Sequence, residues 1–478
     1  MDIREGLTFD DVLLVPKLSD VTSRSQTDLS TQLSRNISLN IPLISANMDT
    51  VTEASMAVTI AREGGIGIIH RFLTIQEEVN EVLKVKRSGS VMIENPYTIS
   101  SDQTIQDAFN IMNEKQVSGL LVVESSSKLV GILTERDVLF EPLNCSKPVK
   151  ELMTKNVVTA KLGIDLPEAK EILKKNRIEK LPIVDDNNLV KGLITSQDIS
   201  NLEKYPNASK DNKGRPIVGA AVGVKGDFME RTEALIDAGV DTVVVDIAHG
   251  HSENAISTVK NIKKAFPNCE VIAGNVATAQ GTEDLIKAGV DAVKVGVGSG
   301  SICITRVITG SGVPQLTAVL DCAKVGQKYD VPIISDGGTR NSGDATKALA
   351  AGASSIMVGS ILGGTDETPG TTITKNNKRF KIYRGMASLA ASMGRKTKET
   401  GNVELTDDLN DYVAEGVEAM VPYKGSVTDI ITQMTGGIRS GLSYCGAHNI
   451  KQMHENAEFI KMSRAGFAES QPHDVDTM

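Results

Sequence analysis

Short, continuous apolar runs recur along this chain. They read IPLISA (41–46), GIGIIH (65–70), PIVGAAV (216–222), TVVVDIA (242–248), EVIAGNV (270–276), AVKVGVG (292–298), PIISDGG (332–338) and SIMVGS (355–360). A continuous run, unlike an alternating one, predicts a strand buried on both faces, as in a parallel sheet covered by helices. A repeated unit links several of them: a helical segment ending in Gly, then a β-branched strand. Examples are IDAGVDTVVVDIA (236–248), IKAGVDAVKVGVG (286–298) and LAAGASSIMVGS (349–360). Gly239, Gly289 and Gly352 are expected to stop helices, because glycine takes the left-handed conformation without steric cost. Eight strands alternating with helices predict an α/β fold, a (β/α)₈ TIM barrel. A doubly wound open sheet is the alternative, and eight turn-bounded repeats favour closure.

The alternation breaks between the second and third strands. Residues 96–138 and 154–199 read as an internal repeat, in which GILTERD (131–137) recurs as GLITSQD (192–198). Repetition at this length implies a paired module, and insertion at an exposed loop is physically tolerated. The expected organisation is a barrel begun by residues 1–92, a pair over 93–204 and a barrel completed by 205–478. The pair divides into repeats of about 93–150 and 151–204. The polar stretch 201–216 is the return linker.

Composition narrows the function classes. The 478 residues, 40% hydrophobic, suffice for two or three cores. A net charge of −9, with no Trp and 3% aromatics, argues against nucleic acid as a partner. Five cysteines (Cys145, Cys269, Cys303, Cys322, Cys445) form no C-x-x-C pair. An odd number in that spacing points to reduced thiols and a cytoplasmic setting, without disulfides or structural zinc. The opening MDIREGLTFDDVLL is charged where a signal peptide is apolar. No run approaches the roughly 18 apolar residues of a membrane span, so none is expected.

The segment richest in chemistry is VGVGSGSICITR (295–306), at the strand end where barrel active sites are built. Gly296, Gly298 and Gly300 make a tight loop able to expose backbone carbonyls. Cys303 at its end is either a presented nucleophile or a buried, inert thiol. The spacing does not meet the dinucleotide pattern G-x-G-x-x-G. His249 and His251 form an H-x-H pair without a third ligand, so no metal is expected there. His70 is read as a site-lining or satisfied polar residue.

LTFDDVLLVP, ISANMDTVTE, GGIGIIHR, GNVAT, GVGSGSICITR, SGVPQ, SDGGTR, YRGMAS, EGVE and VPYKG together resemble the IMP dehydrogenase / GMP reductase family across nearly the whole chain. The paired module resembles a tandem CBS (cystathionine-β-synthase-type) pair. The resemblance implies a Cys303 thiolate that adds to C2 of a purine nucleotide, then hydride transfer to NAD, then hydrolysis to xanthosine monophosphate. It places the substrate inosine monophosphate (IMP) on Ser301, Asp336, Gly338, Gly359, Ser360, Tyr383, Gly385, Met386, Ala387 and Glu415. Asp336 would face ribose hydroxyls, Ser301 and Tyr383 the phosphate, and Glu415 the base edge. Asp246, Gly296 and Gly298 would meet NAD. A potassium ion would lie on Gly298, Gly300 and Cys303, completed by Glu469, Ser470 and Gln471 of a neighbouring copy in a homotetramer. Asp137 and Asp198 would bind an adenine or guanine nucleotide in the CBS pair, unless that pair is purely structural.

One stretch departs from the family. The dehydrogenases carry an Arg-Tyr dyad between YRGM and EGVE, whose Arg activates the hydrolytic water. Residues 387–414 contain no Arg-Tyr pair; Arg395 and Tyr412 are their only Arg and Tyr. Thr305, Arg395 or a Lys is the expected substitute. The missing dyad keeps open a GMP reductase, which needs NADPH and no hydrolytic Arg. A non-catalytic nucleotide sensor is the third reading.

Overall fold

The computed structural model describes residues 3–89, 92–115, 117–124, 127–142, 144–389, 391 and 413–472. The eight apolar runs become eight parallel strands: β1 (Leu43–Ser45), β2 (Ile66–Ile69), β3 (Val218–Val222), β4 (Thr242–Asp246), β5 (Glu270–Val276), β6 (Ala292–Val295), β7 (Ile333–Asp336) and β8 (Ser355–Val358). They close into a barrel in that order, with β8 pairing β1 and β2 pairing β3. The open-sheet alternative is thereby excluded.

Burial on both faces explains the continuous apolar runs. Ile44, Ile68, Ala221, Val244, Ile272, Ala292, Ile334 and Met357 form one buried cluster inside the barrel. Alternate residues such as Val243, Val245, Val271, Val293, Ile333 and Val358 belong to the cluster packed with the helices. Each strand is followed by a helix: α1 (Ala54–Arg62), α2 (Ile75–Arg87), α3 (Phe228–Asp237), α4 (Glu253–Ala265), α5 (Ala279–Ala288), α6 (Gln315–Tyr329), α7 (Ser342–Ala350) and α8 (Val427–Tyr444). Ser252, Thr278 and Asn341 cap three of them by accepting from the backbone N–H of Ala255, Gly281 and Asp344. Gly289 ends α5 at φ 106°, a left-handed conformation that strains any residue with a Cβ. Gly239 and Gly352 also have positive φ.

The chain forms two compact units, one of Met1–Lys86, Asn207–Asp211 and Pro216–Met478, the other of Arg87–Pro206 and Asn212–Arg215. The second unit contains two copies of one pattern: strand, helix, antiparallel strand pair, helix. The first runs through Thr98–Ser100, Ile105–Lys115, Gly119–Glu124, Lys128–Thr134 and Glu135–Val138. The second runs through Ala160–Lys161, Leu166–Asn176, Lys180–Val184, Val190–Thr195 and Ser196–Lys204. Asp137 and Asp198 have the same local task in each. Each carboxylate accepts from the backbone N–H and hydroxyl of a helix-capping Thr, Thr134 or Thr195. Among the described residues, no helix is long and apolar enough to cross a membrane.

A buried cation ties the barrel together where its sequence is interrupted. Lys86, in the last turn of α2, is 3% exposed and bonds Asp211 at 3.0 Å and Asp241 at 2.6 Å. Asp241 also accepts from the Val218 N–H at the start of β3. Burial raises the Asp241 carboxyl above its ordinary value, even with Lys86 opposing. Removing one member of such a cluster leaves uncompensated buried charge. Lys86→Met is expected to destabilise the barrel by about 3–5 kcal/mol, seen as a lowered melting temperature in calorimetry.

Candidate active site

The strand ends converge on a cavity of about 350 Å³, within the range of small-molecule sites. Cys303 lines it, as do Ser301, Thr305, Asp336, Tyr383, Gly385, Met386, Ala387, Glu415, Asp246, Gly296, Gly298 and Gly300. Three other expected residues, Gly338, Gly359 and Ser360, stand behind this lining. A Cβ on Gly359 would come within 3.0 Å of the Tyr383 hydroxyl, so glycine lets that ring approach. The Tyr383 hydroxyl meets the side chains of Ser301 and Ser360, and burial pushes its pKa up to about 12. Gly338 donates its N–H to Ser299 O at 3.0 Å and braces the loop.

The loop after β6 is shaped by its glycines and by one arginine. Gly298 has φ +72°, and a Cβ there would lie 2.5 Å from Cγ of Arg306. Arg306 fills that space and donates to Val297 O at 3.0 Å and Val313 O at 2.5 Å. The chain then reaches Cys303, whose N–H bonds Gly300 O at 3.1 Å, before the short helix Thr305–Thr309.

A second segment clasps this loop. Ile304 N–H donates to Glu415 O at 2.8 Å, and Val417 N–H to Ile302 O at 3.0 Å. Residues 415–417 are delivered there by a three-stranded antiparallel sheet, Ile373–Lys375, Lys378–Arg384 and Glu418–Pro422, which pairs Tyr383 with Ala419. The loop after β1 anchors the same sheet. Asp49 forms an ion pair with Arg384, and its N–H points to Met386 Sδ at 3.4 Å.

The clasp sets up a chain of polar atoms. The Cys303 thiol lies 3.2 Å from the Thr305 hydroxyl, which donates to Glu415 Oε2 at 2.7 Å. Glu415, expected at the base edge, thus also faces Thr305. Cys303 is half-buried and lines the cavity, whereas Cys322 and Cys269 lie outside it, with thiols pushed by burial up to about 12 and about 11. Arg395 and Tyr412 lie outside the described residues.

Sequence reasoning missed the polar lining residues Asn47, Arg71, Asn275 and Lys294, along with Met48 and other apolar positions. Lys294 and Asn275 were visible as polar interruptions of the apolar runs AVKV and EVIAGNV. His70 proves to be a satisfied polar residue. It is 2% exposed, with Glu53 at 3.3 Å and the Phe72 N–H at 3.2 Å. His251 bonds Asp284 at 2.9 Å, and no group of three metal-ligating side chains occurs among the described residues. The hydroxyl of Ser470, beyond the helix Arg464–Glu469, bonds within that turn to Gly466 O at 2.8 Å.

The fold and site define a (β/α)₈-barrel enzyme with a cysteine presented to a nucleotide-sized cavity. The model of the IMP dehydrogenase / GMP reductase domain matches residues 6–473, and the chain belongs to that family. It is 78% identical to the inosine-5′-monophosphate dehydrogenase of Nitrosopumilus maritimus over 99% of both chains. It is 54% identical to that of Aquifex aeolicus, over 99% of this chain and 96% of the relative. A crystal structure of GMP reductase from Trypanosoma brucei with guanosine 5′-monophosphate is 44% identical, with a TM-score of 0.92 and 99% coverage of both chains. The chain is accordingly an oxidoreductase.

Gly298→Ala tests the loop geometry. The added methyl must displace Arg306 and with it Cys303. A misplacement of about 1 Å is expected to cost on the order of 100-fold in kcat, with an unchanged circular dichroism spectrum.

Proposed function

We propose that this enzyme oxidises IMP to xanthosine monophosphate with NAD, through a covalent thioimidate on Cys303. The observation that carries the reading is the Cys303–Thr305–Glu415 alignment inside the cavity. The 78% identity to a named IMP dehydrogenase supports the direction of reaction.

The chemistry follows from the need to activate C2. A purine C2–H is a poor hydride donor until a nucleophile makes that carbon tetrahedral. The Cys303 thiolate forms a bond to C2 as the C2–N3 π pair shifts to N3, and the C2 hydrogen then departs with its electron pair as that double bond re-forms. The nicotinamide supplies the hydride acceptor when bound. What remains is the thioimidate. Water then adds to C2, the carbon–sulfur bond breaks and the thiolate returns, one water proton leaving through Thr305 and the other staying on the product. Thr305 takes a proton from that water as it passes its own to Glu415, a role the resemblance assigns elsewhere to an arginine.

Binding roles follow from the lining. Asp336 accepts from the substrate's ribose hydroxyls, while Ser301, Ser360 and Tyr383 hold its phosphate. Gly385, Met386 and Ala387 border the base, and Gly338 and Gly359 make room for these groups. For NAD, Asp246 is an acceptor at the cavity edge beside apolar Ile247, Ala248 and Val297. That lining suits a ribose and a flat ring, with Gly296 and Gly298 allowing close approach. Potassium suits the carbonyls of Gly298, Gly300 and Cys303. Glu469, Ser470 and Gln471 of a second copy complete that site in a homotetramer. The second unit, residues 93–204 in outline, is a CBS pair that takes an adenine or guanine nucleotide near Asp137 and Asp198. Free thiols and this chemistry suit the cytoplasm.

GMP reduction is the competing reading, favoured by the likeness to the trypanosomal GMP reductase. The test follows absorbance at 340 nm with IMP, NAD and potassium, and in parallel with GMP and NADPH. NADH formation with xanthosine monophosphate as product is expected. NADPH oxidation with GMP alone would replace the dehydrogenase by a reductase. Cys303→Ala is expected to abolish turnover.

Glu415→Gln separates the two half-reactions. Removing the proton acceptor is expected to slow hydrolysis about 100- to 1,000-fold and spare hydride transfer. Stopped-flow then shows a burst of about one NADH per subunit before a slow steady state. A uniformly slow reaction without a burst would remove Glu415 from the hydrolytic step.

A further inference from the structure

The proposed mechanism leaves unused the most buried charge at the cavity. Lys294 lies on β6, two residues beyond Ala292 and on the same, inward face. It is 3% exposed. An unpaired ammonium in such a place is costly, and two carboxylates from other strands offset that cost. Nζ bonds Asp246 Oδ1 at 2.6 Å, at the end of β4, and Asp336 Oδ2 at 2.8 Å, at the end of β7. It also donates to the side-chain oxygen of Asn275 on β5. Asn275 in turn donates to the same Asp336 oxygen at 2.9 Å and to Gly296 O at 2.7 Å.

The backbone makes room for this arrangement. A Cβ on Gly274 would lie 2.4 Å from the Lys294 carbonyl oxygen and 2.7 Å from its Cβ. Only glycine lets β5 pass so close to Lys294. Each carboxylate remains about one-fifth exposed, so each still faces the cavity. Burial opposes ionisation of Asp246, but the Lys294 charge and hydrogen bond, with help from Arg71 and Asn47, hold its carboxyl below the ordinary value. Burial likewise opposes the Lys294 charge, and Asp246 and Asp336 hold its pKa above the ordinary lysine range.

Taking Asp336 as the substrate-ribose acceptor and Asp246 as the cofactor-ribose acceptor rests on the function proposed above. On that reading we propose that Lys294 is a positioning residue shared by both halves of the cavity, aiming the two ribose-reading carboxylates from one buried nitrogen. It touches neither reacting atom. It selects ligands that carry ribose hydroxyls by holding Asp336 and Asp246 in place as acceptors.

The test is a cycle between protein and ligand, which isolates one interaction from general damage. Binding of IMP and of 2′,3′-dideoxy-IMP is measured by calorimetry in the full chain and in Lys294→Met, Lys294→Gln and Lys294→Arg. The full chain is expected to prefer IMP by about tenfold or more, the scale of a lost hydrogen bond to a charged group. The preference should fall below about threefold in both neutral variants and return in Lys294→Arg. KM for NAD should rise in the same neutral variants, with kcat changed less than KM. Lys294→Gln fills the same space with a polar group, so it answers the question if Lys294→Met does not fold. A preference kept by a folded neutral variant overturns the role of Lys294. A full chain that does not bind IMP at all overturns the functional reading instead.

Discussion

The site depends on a clasp of two backbone hydrogen bonds. Ile304 and Glu415 are joined by one, and Val417 and Ile302 by the other. They hold the loop after β6 against a segment more than a hundred residues later. Without them Cys303 and Thr305 would sit on a glycine-rich loop with many conformations, and Glu415 would have no reason to meet either. Backbone hydrogen bonds suit this task because their geometry is narrow and independent of side-chain rotamers. Pre-ordering of this kind converts an encounter between groups into a fixed alignment.

Barrel closure supplies the platform beneath. Parallel strands bring all their C-terminal ends to one rim, so residues distant in sequence share one cavity. Two layers inside the barrel have different chemistry. The deeper one is apolar and contains Ile272, Ala292 and Ile334. The layer at the rim is ionic, formed by Lys294, Asp246, Asp336 and Asn275. The change occurs within two residues on β6. It marks where packing gives way to ligand recognition, because a buried charge network is favourable only when its members satisfy one another.

The two repeats of the second unit show how one local pattern can obscure another. Asp137 and Asp198 recur at matching positions, and their resemblance to the ribose-binding acidic residues of CBS modules suggested a nucleotide ligand. Both accept from a capping threonine at the start of a helix. That local need accounts for an acidic residue at this place in each repeat. A nucleotide there would have to compete with, or be completed by, an existing hydrogen bond.

Strand identity was legible from sequence because burial on both faces leaves a continuous apolar run, and helix ends because Gly239, Gly289 and Gly352 supply the left-handed turn. The Cys303 loop was legible from its glycines and its place after a strand. The resemblance to a family pointed to about half of the cavity lining, including Cys303, Asp336, Tyr383 and Glu415. Lys294 and Asn275 were not found, since a lone polar residue in an apolar strand has no partner in its own neighbourhood. Its meaning arises only when other strands bring carboxylates to it. Glu415 was expected at the base edge, but its contact with Thr305 was not legible, because it spans more than a hundred residues. Local sequence thus determined which segments are strands and helices, through continuous apolar runs and turn chemistry. The pairing of charges was decided only by closure of the barrel and the alignment of the thiol only by the clasp, because those interactions join residues that have no local reason to meet.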